Sequence, residues 1–149
     1  PIIGNGDITD GPSAKQAFDR YGVDAIMVGR ATFGHPWIFK EIKYYMEHGE
    51  QMPPLSVAEK VALAKRHLAL SLALKGEPRG IYEMRRHLSC YFKGLPEFKE
   101  TRMKMVTTLD VDELYSILDY ILDQEYFHPY KVFLPCLHIH KALIWESVV

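Results

Sequence analysis

Cysteine is scarce: the 149 residues hold two, Cys90 and Cys136, far apart and at no spacing that metal-ligand motifs use. That usage fits a reducing, cytoplasmic setting. Long apolar runs are missing as well, and none approaches the ~18 residues that a bilayer span requires, so no membrane role is expected. The opening "PIIGNGDITD" has neither the basic lead nor the long apolar segment of a secretory signal. It also has no initiating methionine and begins inside an apolar strand, from which we expect a truncated chain. Net charge is nearly absent too, at -1. What is present is globular, 48% hydrophobic and 25% charged.

The neutral average conceals an asymmetry. Residues 60–104 carry eleven Lys and Arg against four Glu, whereas residues 105–125 carry six acids and no base. A basic third of this kind suits a polyanion, although charge alone leaves a solvated helical surface equally open.

Along the chain, "PII" and "DAIMVG" are short apolar runs of the fully buried, parallel-strand type. Between them Asp10, Pro12 and Ser13 supply helix-start chemistry, and Gly22 a stop. The first thirty residues therefore read strand–helix–strand, a piece of a larger α/β structure, because two parallel strands cannot have both faces covered. A helix follows with Pro36 in its first turn and Gly49 at its end. Pro53 and Pro54 mark the best boundary. Beyond them four helices are expected: one opened by a Ser56–Glu59 capping box, one with Ile81, Met84, Leu88, Tyr91, Phe92 and Leu95 on a stripe and Gly94 as its stop, a short one carrying Lys99, Arg102 and Lys104, and an acid-opened one burying Leu114, Ile117, Leu118, Ile121 and Leu122. The divisions are 1–52, 53–124 and an unassigned tail, 125–149. In the tail His138 and His140 alternate with Leu137 and Ile139 without a third ligand, so no metal site is assigned.

Two glycine corners stand out, "GNGD" at 4–7 and "GR" at 29–30, each after a strand. Ligands collect at the C-terminal ends of parallel strands. Glycine lets backbone N–H groups approach an anion, Asn5 adds an amide, and Arg30 adds a fixed cation suited to phosphate oxygens. Either corner alone fits an ordinary strand–helix turn. Together, one crossover apart, they match the phosphate site that the last two loops of an eight-stranded barrel form. Asp7 either caps the next helix or orients the loop.

"PIIGNGDI", then "GVDAIMVGRATFGHPWIF" at this spacing, and later "MRRHLSCYFKGLP", resemble the bacterial-type tRNA-dihydrouridine synthases over roughly residues 1–124. The resemblance implies an α/β fragment, the last two strands of a TIM barrel with their helices, followed by an all-α helical bundle domain. It implies FMN, reduced by NADPH, whose hydride passes to C6 of a flipped-out uridine while a barrel-loop cysteine protonates C5. Carried over, Asn5, Gly6 and Asp7 match one FMN-phosphate loop and Gly29 and Arg30 the other, while Arg85, Arg86, Lys93, Lys99 and Arg102 would contact tRNA. The family's cysteine lies upstream in the barrel. Neither Cys136 nor Cys90, expected to be buried or half-buried in its helix, occupies that place, so no catalytic residue is assigned and the chain alone is expected to be inactive. Exposed barrel strands would favour a homo-oligomer or strand exchange. The rival reading is a standalone RNA-binding helical module; another flavin barrel, of the dihydroorotate or inosine-monophosphate type, would not carry the basic helices.

Overall fold

A computed structural model describes residues 1–127, with side chains described through residue 124. Strand β1 (Ile3–Asn5) leads through helix α1 (Gly11–Tyr21) to strand β2 (Ala25–Met27). The strands pair in parallel, with Ile3 opposite Ala25 and Asn5 opposite Met27. Asp10 starts α1 by a reciprocal box: its carboxylate accepts from the Ser13 N–H at 2.8 Å, and the Ser13 hydroxyl accepts from the Asp10 N–H at 3.1 Å. A single 3-10 turn, Arg30–Thr32, then precedes α2 (Ile38–His48).

The strands are less buried than apolar runs lead one to expect. Ile26 and Val28 face a small core of Ile8, Ala14, Ile38 and Ile42, but Ile3 is 63% and Met27 52% exposed. The cause is the period-2 alternation of a strand: α1 and α2 cover one face of the pair, and nothing among the described residues covers the other. Under that covered face α1 and α2 approach closely. A Cβ on Gly11 would lie 2.3 Å from Cβ of Tyr45, so only glycine permits the contact.

Four helices follow: α3 (Val57–Lys75), α4 (Arg79–Tyr91), α5 (Lys99–Thr107) and α6 (Val111–Phe127). Ser56 and Glu59 form the expected capping box. Leu68, Ile81, Met84, Leu88, Met105, Leu114 and Leu118 fill one shared interior, each worth about 1.5–3 kcal/mol of burial. Lys65 pairs with Asp119 to tie α3 to α6.

Two boundaries differ from the sequence reading. Helix α2 begins at Ile38, because Pro36 and Trp37 lie in a preceding turn closed by the Ile38 N–H to the His35 carbonyl at 3.1 Å. Helix α4 ends at Tyr91, ahead of Gly94. There the Lys93 and Leu95 amides turn back to the Cys90 and Phe92 carbonyls, both at 3.3 Å, and the tightened chain buries Phe92.

Among the described residues no helix is long and apolar enough to cross a membrane, and no group of three or more metal-ligating side chains occurs. His138, His140 and Cys136 lie outside the described residues.

Candidate phosphate cleft and basic face

Because Asn5 and Met27 end paired parallel strands, the loops after them emerge side by side. They enclose an open cleft of about 640 Å³ that Asn5, Gly6, Asp7, Gly29 and Arg30 all line. Arg30 Nη2 meets Asp7 Oδ1 at 2.7 Å, with side chains 85% and 87% exposed. Asp7 therefore does not cap α1, which Asp10 does, but holds the guanidinium over the cleft. It takes a positive φ of 35° to do so, unusual for a residue with a side chain.

The cleft fits an anion. Cβ atoms on Gly6 and Gly29 would meet nothing within 4 Å, so the missing side chains serve no protein contact and leave the backbone amides approachable. The first internal bond of the 3-10 turn is Thr32 N–H to Gly29 C=O at 3.0 Å, which leaves the Arg30 and Ala31 amides outside the turn's own ladder. The Asp7–Arg30 pair stands in competition with an incoming phosphate. An exposed pair of this kind is worth about 0–1 kcal/mol, whereas charge-assisted bonds to a dianion are roughly twice as strong as neutral ones, so the pair yields.

The five basic residues singled out in the sequence part company. Lys93, Lys99 and Arg102 are exposed, line one shallow cleft beside Phe98, and make no ion pair among the described residues. Arg85 is engaged internally instead. Its Nη2 donates to the Thr107 carbonyl at 3.1 Å and its guanidinium lies 4.8 Å from the Tyr82 ring, which straps α4 to the end of α5. Its Nε is buried without a partner among the described residues. Arg86 is exposed, with its guanidinium 4.7 Å from the Phe33 ring.

That last contact belongs to a seam the sequence reading missed, between the segment after β2 and helices α3 and α4. Phe33 stands edge-on to His87 at 5.6 Å, the Gly34 N–H points at His87 Nδ1 at 3.5 Å, and Trp37 packs on Tyr91 at 5.6 Å. Gly34, at φ 65°, has no room for a Cβ, which would lie 2.4 Å from Cβ of Cys90 and 2.7 Å from the His87 carbonyl. Cys90 itself is exposed, not buried as expected, because it falls on the side of α4 that turns from the helical core toward this seam. Lys60 lies 5.8 Å over Trp37.

Behind the seam, His67 and His87 stand 4.7 Å apart edge to face, and His67 Nδ1 is 3.2 Å from the Tyr91 hydroxyl. Burial first, then the charge of the other imidazole, hold His67 below the ordinary histidine range; burial and then Arg86 do the same for His87. Burial pushes the Tyr91 phenol up to about 12. Helical spacing gives no hint of this cluster, since its members come from two helices and a loop.

Comparison with known proteins gives a consistent answer. The family model described as "Dihydrouridine synthase (Dus)" matches residues 1–125. The chain is 44% identical over 93 residues to tRNA-dihydrouridine synthase B of Proteus vulgaris, covering 62% of this chain and 29% of that protein. It is 36% identical over 126 residues to tRNA-dihydrouridine synthase B of Shewanella oneidensis, covering 83% and 38%. It is 39% identical over 102 residues to a probable tRNA-dihydrouridine synthase of Rickettsia prowazekii, covering 68% and 31%. The chain thus spans about a third of the length of the curated relatives it matches. With a match over residues 1–125, which takes in both glycine corners and reaches into the last helix, the chain belongs to the dihydrouridine synthase family.

Proposed function

We propose that this chain is the C-terminal portion of a tRNA-dihydrouridine synthase, an oxidoreductase, in which the paired loops grip the phosphate of FMN and the basic helices hold tRNA. The observation that carries the reading is the meeting of Asn5, Gly6, Asp7, Gly29 and Arg30 around one open cleft at the C-terminal ends of two parallel strands. In a barrel this is where ligands bind. FMN, once bound and reduced by NADPH, supplies the hydride that converts uridine to dihydrouridine. The chain's own residues bind and orient: Arg30 neutralises the phosphate, the glycine amides cradle it, and Asp7 orients the guanidinium until the phosphate displaces it.

The tRNA contacts are Lys93, Lys99 and Arg102, with Arg86 at the seam, whereas Arg85 contributes through α5 rather than by a free charge. Cys90 sits at the seam on α4, outside the lining of the cleft, and is not a proton donor in this reading. Residues 1–52 then form barrel and 53–124 the tRNA-binding bundle, and the chain alone makes no dihydrouridine.

Titration of the chain with FMN, followed by quenching of flavin fluorescence, tests the reading. We expect saturable binding that Arg30→Ala weakens about tenfold or more, the loss of one charge-assisted contact of about 1.5–3 kcal/mol. No binding by the wild-type chain, with tRNA binding retained, favours the standalone RNA-binding module instead. The uncovered strand face and edges also favour self-association or strand exchange. Light scattering across a concentration series should show a mass above that of the monomer, and a constant monomeric mass refutes it.

A further inference from the structure

We infer that helix α4 positions the Gly29–Arg30 loop, with Arg86 and His87 acting through Phe33 and Gly34 as positioning residues of the anion cleft. The ligand half of this rests on the phosphate role proposed above; the mechanical half does not.

The loop is a small rigid body. Thr32 N–H and Thr32 Oγ1 both donate to the Gly29 carbonyl, at 3.0 and 2.8 Å. Phe33 N–H reaches the Arg30 carbonyl and His35 N–H the Thr32 carbonyl, each at 3.1 Å. Four bonds in seven residues leave Gly29 to His35 few ways to move except together. At one edge of this body the Arg30 side chain projects into solvent, where among the described residues it pairs with Asp7, while Ala31 packs half-buried on the small core beneath the strands. The other end is clamped. Phe33 meets both the Arg86 guanidinium and the His87 ring, and Gly34 is pressed on the α4 backbone at Cys90, too close for any side chain. The placement of Arg30 at the cleft is therefore referred to α4, some fifty residues further along the chain, as well as to the core under Ala31. Arg86 has no carboxylate partner among the described residues, so its aromatic contact is the interaction that fixes it.

Amide hydrogen exchange on the full chain tests this, comparing wild type with Arg86→Met, Arg86→Lys, His87→Phe and, from the loop side, Phe33→Leu. Exchange of the Thr32, Phe33 and His35 amides should rise about two- to fivefold in Arg86→Met, the equilibrium worth of one partly exposed cation–π contact. His87→Phe and Phe33→Leu should give the same pattern, while α1 and α2 amides stay unchanged. Arg86→Lys keeps a cation over the ring and should restore most of the protection, which a merely structural filler would not require. Affinity for inorganic phosphate, read by titration, should fall by the same factor and recover in the lysine variant. Unchanged exchange at residues 29–35 in both Arg86→Met and Phe33→Leu, with helical content intact by circular dichroism, overturns the positioning role. So does a rise spread evenly over α1 and α2. If wild type binds no phosphate, the phosphate reading fails, and the exchange comparison still decides whether α4 holds the loop.

Discussion

Acidification from about pH 8 to about pH 5.5 acts on the seam through His67 and His87, because it spans the range in which unperturbed histidine gains its charge. Both imidazoles are held below the ordinary range in the folded chain, chiefly by burial; the charges that add to it are His87 and Lys75 for His67, and Arg86 and Lys75 for His87, with no carboxylate among them. The folded state therefore keeps them neutral at a pH where the unfolded chain, with histidine near about 6.5, has begun to protonate. Unfolding takes up protons in that window, so stability is complete above the unfolded value and is lost as pH falls toward the depressed folded values. Each proton taken up contributes a slope of about 1.4 kcal/mol per pH unit, which sets a ceiling of about 2.7 for the two rings together. Both rings are only half-buried, and water reaching them keeps the slope well under that ceiling. Protonation of His87 at Nδ1 also removes the acceptor that faces the Gly34 N–H. Urea midpoints at constant ionic strength, measured across this range for wild type and for the double variant His67→Phe, His87→Phe, isolate the effect, since every other titrating group is common to both. Wild type should lose stability more steeply than the variant. Parallel pH profiles refute the assignment.

Two further perturbations probe the packing and the basic face. Gly11→Ala forces a methyl into the Tyr45 side chain and should cost about 1–3 kcal/mol, read as a drop of several degrees in thermal unfolding; an unchanged midpoint would show that α1 does not lie on α2 as described. Filter binding of tRNA at several salt concentrations should show a steep loss of affinity with salt, and Lys93→Ala, Lys99→Ala and Arg102→Ala should each reduce the logarithmic slope by about one. Arg85→Ala should instead lower thermal stability through its lost strap to Thr107, with the salt slope nearly unchanged.

Local chemistry made much of this molecule legible. Asp10 with Ser13, and Ser56 with Glu59, announce helix starts because a cap needs a short polar side chain at one position and an answering group three residues on. The stripe from Ile81 to Tyr91 is readable for a similar reason: one interior face imposes one period. That the two glycine corners lie side by side was legible because each follows a parallel strand, and the register that pairs Asn5 with Met27 brings both loops to the same end. Strand burial was misread because an apolar run reports what a strand is built to face, not what faces it. Ile3 and Met27 carry side chains suited to an interior and display them to solvent.

The seam shows what a linear reading cannot supply. Arg86 falls away from the buried stripe of α4, and a helical wheel assigns such a cation to solvent and hence to RNA. In the fold that outward direction is the direction of Phe33. A wheel sorts residues by the helix's own core and has no second axis for another segment laid across its outer face. Gly34 carries the complementary information, since its positive φ and its crowding against Cys90 record a close backbone crossing. Nothing in the letters "FGHPW" says which of the later helices is crossed. The two sets of residues therefore have to be read together: the cations that stay free, Lys93, Lys99 and Arg102, are those that no aromatic or carbonyl group among the described residues claims. Arg85 and Arg86, adjacent in sequence and alike in charge, are distinguished from them by the Thr107 carbonyl and the Phe33 ring that each one meets.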